Sequence, residues 1–231
     1  CIKAHNDLST QEIEKSLGEL IIDLIKEKHG YKQKVNLDNP EIIIFVYLLQ
    51  NKCYVGIDFA GFNLSNRSYK IFMLSSDIRG TIAYSLVRLS EYNKNEALLD
   101  PFSGAGTIPI ETAIFASDFP INYFNKGKFI FLKSNKFKNY NFNKLFKKLD
   151  KEISNNKLKI NNIDSSMKHI NYAKKNSKIG GIRKKVSFSR TDLDWLDTKF
   201  HKGDIDKIVT KLPSSQKKDI NDIYNEFFYQ A

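Results

Sequence analysis

The chain has 231 residues, of which 37 are Lys or Arg and 26 Asp or Glu, for a formal net charge of +11. With 41% hydrophobic and 13% aromatic residues in patterned runs, it is not a disordered tail, and no apolar run approaches the ~18 residues of a membrane span. Two cysteines, Cys1 and Cys53, exclude a disulfide framework and a Cys-rich zinc site. The plain reading is a cytoplasmic protein of one large or two small domains, without a metal, whose surplus of positive charge favours an anionic partner, nucleic acid first.

The chain opens in mid-pattern at Cys1-Ile2-Lys3-Ala4 without an initiator Met, and is read as a piece of a longer protein. Ser9 with Glu12 three residues on forms a capping box. Ile13, Leu17, Leu20, Ile21, Leu24 and Ile25 then draw one apolar stripe on a helix that ends near Gly30. Strands over 42–48 and 53–59 flank a polar turn and predict a β-hairpin, with Cys53 as a small buried thiol at the start of the second strand. Residues 60–70 are rich in Gly, Asn and Ser, which is linker chemistry. A second helix is predicted with Ile78, Ile82, Leu86 and Leu89 on its packed face.

From Ala97 the pattern changes to strands alternating with helices. Apolar runs at 158–163, 186–189 and 205–209 are separated by helical stretches at 165–179 and from 219 onward, which argues a parallel α/β sheet. Charge is unevenly spread along this order. Residues 1–70 are neutral and 71–117 carry −2, whereas 118–160 carry +8 and 161–231 carry +5. Most of the charge is Lys, a point charge suited to nonspecific phosphate contact. Phe129, Phe131, Phe137 and Phe146 are interleaved with the lysines of 118–160, so this segment can pack.

The sharpest local signal is Leu99-Asp100-Pro101-Phe102-Ser103-Gly104-Ala105-Gly106-Thr107, running into Ile108-Pro109-Ile110-Glu111. A buried strand ends at Asp100. The two glycines let the backbone turn tightly and approach a ligand, and Pro109 falls in the first turn of the following helix. That helix points free N–H groups at the crevice above the strand ends, where nucleotide-like ligands bind in open α/β sheets. Asp164, at the tip of the next strand, can accept from two ribose hydroxyls, cap the helix beginning at Ser165-Ser166, or do both. Asp192, at the end of the third strand in Arg190-Thr191-Asp192, can accept from an adenine amine, while Asp194 and Asp197 read as solvent-facing. Two acids at separate strand tips fit an uncharged nucleoside better than a dinucleotide pyrophosphate, and point to S-adenosylmethionine rather than NAD.

Together these residues resemble the THUMP-domain RNA methyltransferases, which use S-adenosylmethionine to methylate guanine N2 in tRNA or ribosomal RNA. Residues 1–58, ending in Val55-Gly56-Ile57-Asp58, look like the C-terminal half of an α+β THUMP domain. Residues 59–74, with Leu64-Ser65-Asn66-Arg67-Ser68-Tyr69, resemble the connector. Residues 75–231 look like a Rossmann-like class I methyltransferase domain carrying a basic insertion at 118–157. The resemblance implies cofactor contacts from Asp100, Pro101, Phe102, Gly104, Gly106, Thr107, Asp164 and Asp192. It implies an acceptor loop at Lys211, Leu212, Pro213 and Ser214. The family's loop is Asn or Asp, then Pro-Pro, then an aromatic. A Lys ammonium only donates, so it cannot accept from an exocyclic amine as Asn or Asp does, and Ser214 cannot stack on a base. The family's sheet has seven strands, so the chain is expected to be incomplete at both ends. RNA contacts are expected from Lys133, Lys136, Lys138, Lys147 and Lys148. The main alternative is an RNA-binding protein that keeps the fold without the reaction; a DNA adenine methyltransferase is a weaker one.

Overall fold

A computed structural model describes residues 2–5 (backbone only), 9–50, 52–214 and 220–231. The chain forms two compact units, one of residues 1–63 with 125–143 and the other of 64–124 with 144–231.

In the first unit, β1 (Ile2–His5) pairs in parallel with β2 (Ile43–Leu49), which pairs antiparallel with β3 (Lys52–Asp58) in the expected hairpin. Helix α1 (Thr10–His29) runs between β1 and β2. The Ser9 side chain accepts from the Glu12 amide, and Gly30 ends the helix with φ 74°, as the capping signals require. No residue of α1 is fully buried: Ile13, Leu17, Ile21 and Ile25 are half-covered, but Leu20 and Leu24 of the expected stripe are 53% and 43% exposed. Cys53 is exposed rather than buried, because β3 is open along nearly its whole length.

The unit boundary does not follow the composition shifts. Residues 125–143 of the basic insertion pack with the first unit. There the Ile130 amide donates to the Ala60 carbonyl at 3.1 Å and the Phe131 amide to the Phe59 carbonyl at 3.2 Å. Phe59 meets Phe137, and Phe62 meets Phe129, with ring centroids 6.0 and 5.2 Å apart.

The second unit is built on four parallel strands in the order β6-β5-β4-β7: β4 (Leu98–Asp100), β5 (Ile160–Asp164), β6 (Ser187–Arg190) and β7 (Lys207–Ile208). Pleating sends successive β4 side chains to opposite faces. Leu98 joins the larger core with Ile110, Ala113, Ile160 and Ile182. Leu99 joins a smaller one with Ile163 and Leu196. The helices are α2 (Gly80–Leu89), α3 (Thr107–Ala116), α4 (Phe142–Lys151, whose first two residues fall in the first unit), α5 (Met167–Ile179), the short α6 (Leu196–Lys199) and α7 (Ile220–Gln230).

The packed face of α2 differs in part from the expected one. Gly80, Ala83 and Val87 are buried, whereas Ile82 and Leu89 are 49% and 79% exposed. α2 lies close against α3, and small residues permit the approach; Leu86, and Ile78 just before the helix, still pack against the core as expected, while Ile82 and Leu89 do not. Among the described residues no helix is long and apolar enough to cross a membrane.

Candidate active site

Strand β4 has β5 on one side and β7 on the other, and the chain leaves it for the first helix of the sheet at this point. Such a switch point opens a crevice beyond the carboxyl ends of the strands. A cleft of about 840 Å³ occupies it, lined by residues 100–104 and 107–108, by Asp164 and Asp192, and by residues 211–214.

The glycine turn forms the floor. Gly104 and Gly106 have φ 52° and 84°, the left-handed region that favours glycine. A Cβ on Gly106 would sit 2.7 Å from the Ala173 Cβ and 2.9 Å from Asn162 Oδ1, so the turn is seated on α5 and β5 as well as bent. The Ser103 amide donates to the Ile163 carbonyl at 3.0 Å, and Asn162 Nδ2 to Ser103 Oγ at 2.7 Å. α3 begins directly after Gly106 with no side-chain cap. Its Thr107 hydroxyl, in a residue 4% exposed that lines the cleft, has no hydrogen-bond partner among the described residues.

Asp100 closes the strand end. It is 1% exposed, and Oδ1 accepts from Thr210 Oγ1 at 2.6 Å and from the Phe102 amide at 3.3 Å. Burial pushes its carboxyl up to about 7, against the lowering effect of those two bonds, and the neighbouring Asp164 carboxylate adds to the rise.

Asp164 is more engaged than a bare ribose acceptor. Oδ2 accepts from the Gly104 amide at 2.9 Å; Oδ1 accepts from the Ser166 amide at 2.8 Å and lies 2.9 Å from His169 Nδ1. The helix-capping role goes to Ser166, whose hydroxyl accepts from the His169 amide. Asp164 thus braces the glycine turn against β5, and Oδ2 keeps acceptor capacity toward the cleft. Asp192 is exposed at the cleft edge, as are Asp194 and Asp197 near it.

A strap over residues 74–77 forms the opposite wall. Asp77 Oδ2 accepts from the Leu74 amide at 2.9 Å. Asn176, 1% exposed, pairs with both backbone groups of Phe72 and donates to the Ala105 carbonyl at 3.1 Å, tying strap, glycine turn and α5 together. The acceptor loop reaches the same wall, where Lys211 Nζ donates to the Ser76 carbonyl. Leu212, Pro213 and Ser214 line the cleft beside it.

The RMKL-like methyltransferase domain profile matches residues 67–231, and the THUMP domain profile matches residues 2–58. The chain belongs to the RMKL-like methyltransferase domain family. It is 34% identical over 234 residues to the tRNA (guanine(6)-N2)-methyltransferase of Methanocaldococcus jannaschii, covering 98% of this chain and 60% of that protein. It therefore spans less than two thirds of that relative's length. Among solved structures, a possible methylase from Clostridium difficile 630 superposes with a TM-score of 0.80 at 25% identity, covering 99% of this chain and 60% of the other. The protein SMU.472, solved in complex with SAH, has the same fold, with a TM-score of 0.80 at 20% identity over all of this chain and 61% of its own. The expected α/β fold with a THUMP domain ahead of it is borne out.

For an RMKL-like methyltransferase domain, the donor set suits a nucleoside-bearing cofactor. It offers a buried Thr107 hydroxyl with no partner among the described residues, a helix N-terminus without a side-chain cap, a strand-tip carboxylate with spare acceptor capacity and an open carboxylate at Asp192. Sequence reasoning did not single out His169, Asn176 or the strap carboxylate Asp77. Asn176 acts through partners 71 and 104 positions away, beyond any local spacing, whereas His169 and Asp77 meet Asp164 and Leu74, five and three positions away. Thr210, one residue before the acceptor loop, was within reach as the last residue of the strand motif. Lys133, Lys136 and Lys138 are exposed in the first unit; Lys147 and Lys148 are exposed on α4 in the second.

Proposed function

We propose that this chain is a cytoplasmic S-adenosylmethionine-dependent RNA methyltransferase acting on N2 of guanine in tRNA, with ribosomal RNA as the alternative substrate. The observation that carries the reading is the cleft at the switch point of the parallel sheet. Asp100, Asp164 and the glycine turn line it together with Thr107, whose buried hydroxyl has no partner among the described residues. The likeness to a curated tRNA guanine-N2 methyltransferase supports the substrate.

In this reading Thr107 and the α3 N-terminus take polar groups of the cofactor, Asp164 Oδ2 takes a ribose hydroxyl, and Asp192 takes the adenine amine. Asp100, buried and close to neutrality, becomes a full carboxylate when a cationic group lies against it. Bound there, S-adenosylmethionine would supply an electrophilic methyl group. The strap and residues 211–214 would exclude water and position the acceptor base.

Position 211 decides how well an exocyclic amine is oriented. A carboxamide would accept from that amine; the Lys211 ammonium donates, and here it donates to the Ser76 carbonyl. This favours a second reading, in which the chain binds RNA and cofactor but transfers methyl groups slowly or not at all. Incubation with labelled cofactor and bulk tRNA, followed by nucleoside analysis, separates the two. Labelled N2-methylguanosine is the expected product. Lys211→Asn should raise turnover by roughly 10²-fold, the scale of one well-placed hydrogen bond in a transition state. Cofactor binding without transfer by either form would leave the second reading. An active enzyme indifferent to Lys211→Asn would overturn the role given to the loop.

A further inference from the structure

On folding, the phenylalanines of the Lys-rich insertion pack together while four of its lysines stay exposed. Phe129 and Phe131 stack at 5.2 Å; Phe131 meets Phe142 at 4.8 Å, Phe137 meets Phe142 at 6.0 Å, and Ile130 is buried beneath them. These rings anchor on Phe59 and Phe62, and a Cβ on Gly61 would lie 2.8 Å from the Ile130 Cβ. Lys128, Lys133, Lys136 and Lys138 remain exposed. Among the described residues none of them meets a carboxylate, and Lys133 bonds only the neutral Asn39 Oδ1, at 2.5 Å.

Residues 125–143 contain five lysines and no acid. The rest of this unit, residues 1–63, carries seven lysines against nine acids and no arginine. The insertion therefore reverses the sign of the unit that holds the THUMP match. Four exposed like charges within the eleven residues 128–138 repel one another, at a cost only partly screened by salt. Holding them on a ring-locked backbone of short 3-10 turns at 123–128, 130–133 and 135–137 lowers the ordering cost when a polyanion binds. Tyr140, 57% exposed beside Lys138, offers a face on which an unpaired base can stack.

We propose that residues 125–143 are the phosphate-docking surface of the first unit, which thereby becomes an RNA-binding module assembled from two separated stretches of chain. Lys128, Lys133, Lys136 and Lys138 contact backbone phosphates, and Tyr140 stacks on an unpaired base. Lysines on α4, in the other unit, play the smaller part. The inference rests on the RNA reading above and adds the location of the grip.

The test uses the full chain, a single-stranded RNA oligonucleotide, bulk tRNA and vesicles of acidic phospholipid. Replacing the four lysines together by Gln should weaken RNA binding on the order of 10²-fold at 0.1 M salt and flatten the log–log salt slope by about 3, near 0.7 per lost phosphate contact on a single strand. Replacing the same four by Arg should keep the affinity, which guards against simple misfolding, and both variants should bind S-adenosylhomocysteine as the parent does. Lys147→Gln with Lys148→Gln should change the slope by less than half as much. Tyr140→Ala should weaken the oligonucleotide more than the tRNA. Equal RNA affinity of the Gln variant and the parent overturns the location while the RNA reading stands. Vesicle binding that matches or exceeds RNA binding overturns the choice of partner. A parent chain that binds S-adenosylhomocysteine but no RNA overturns both.

Discussion

Asp100 shows how one residue turns position into a measurable pH dependence. Its carboxyl is buried at the end of β4 and is raised from an ordinary 3.8 to about 7. A carboxyl with a folded pKa above its unfolded value binds its proton more tightly in the native state. Its contribution to stability is fully present below about 3.8 and is lost as the pH rises through about 7. The loss is roughly 4 kcal/mol at most, on the scale of 1.36 kcal/mol per unit. Asp100→Asn keeps an oxygen for Thr210 and the Phe102 amide while removing the titration. Denaturant unfolding from pH 4 to 8 should show the parent losing stability toward neutrality and Asp100→Asn holding a flatter profile. A parent that gains stability over that range would mean that another group, or a neighbouring cation, holds Asp100 ionised. The buried trio of Arg67, Tyr69 and Glu111 is a different case. Arg67 Nε lies 2.6 Å from Glu111 Oε1, and the Tyr69 hydroxyl donates to the same oxygen at 2.6 Å. The resemblance drew attention to the residues around Arg67, but its partner Glu111 lies 44 positions away, beyond the reach of any local pattern.

At the scale of elements, the legible features were those governed by neighbours in sequence. The Ser9 cap, the Gly30 stop, the hairpin and the glycine turn all rest on local backbone chemistry, and the structure has each of them. The packed face of α2 was legible only in part: Ile78 and Leu86 pack on the core as the stripe implies, but the fully buried positions are Gly80, Ala83 and Val87, where α3 comes close. The engagement of Asp164 by the Gly104 amide, 60 residues away, was equally hidden. The glycine turn joins the two levels, since Gly106 is fixed both by its φ of 84° and by the closeness of Ala173 and Asn162. Gly106→Ala incurs the left-handed penalty of about 1–2 kcal/mol and must also displace α5 or β5. The melting temperature of the variant should fall by at least several degrees. Its affinity for S-adenosylhomocysteine should fall more than tenfold, because the turn would no longer lie beneath the ligand. Full retention of both would show that the turn relaxes freely and that its seating on α5 is incidental.

At the scale of the molecule, the burial is unequally shared. Among the described residues, the buried hydrophobic side chains of the first unit are Val46 and Ile130; the others, from Tyr69 to Phe227, lie in the second. Helix α1 contributes none, and β3 exposes Tyr54, Val55 and Ile57 at 52%, 64% and 54%. Apolar burial is the main stabilising term in folding, so the two units should open at very different free energies. Hydrogen exchange on the full chain tests this segment by segment. Amides of β4, β5 and α3 should exchange only through the most costly openings. Those of α1, β2 and β3 should exchange through openings several kcal/mol cheaper, as expected where local contacts and buried area are sparse. The ring-locked stretch at 125–143 should sit with the first unit in this ranking, since it packs with residues 59–62 of that unit. Added RNA should then slow exchange in 125–143 and in the hairpin together. Comparable protection of α1 and α3 in the RNA-free chain would show that the first unit's open faces are covered in solution, and that its stability comes from an association rather than from its own core.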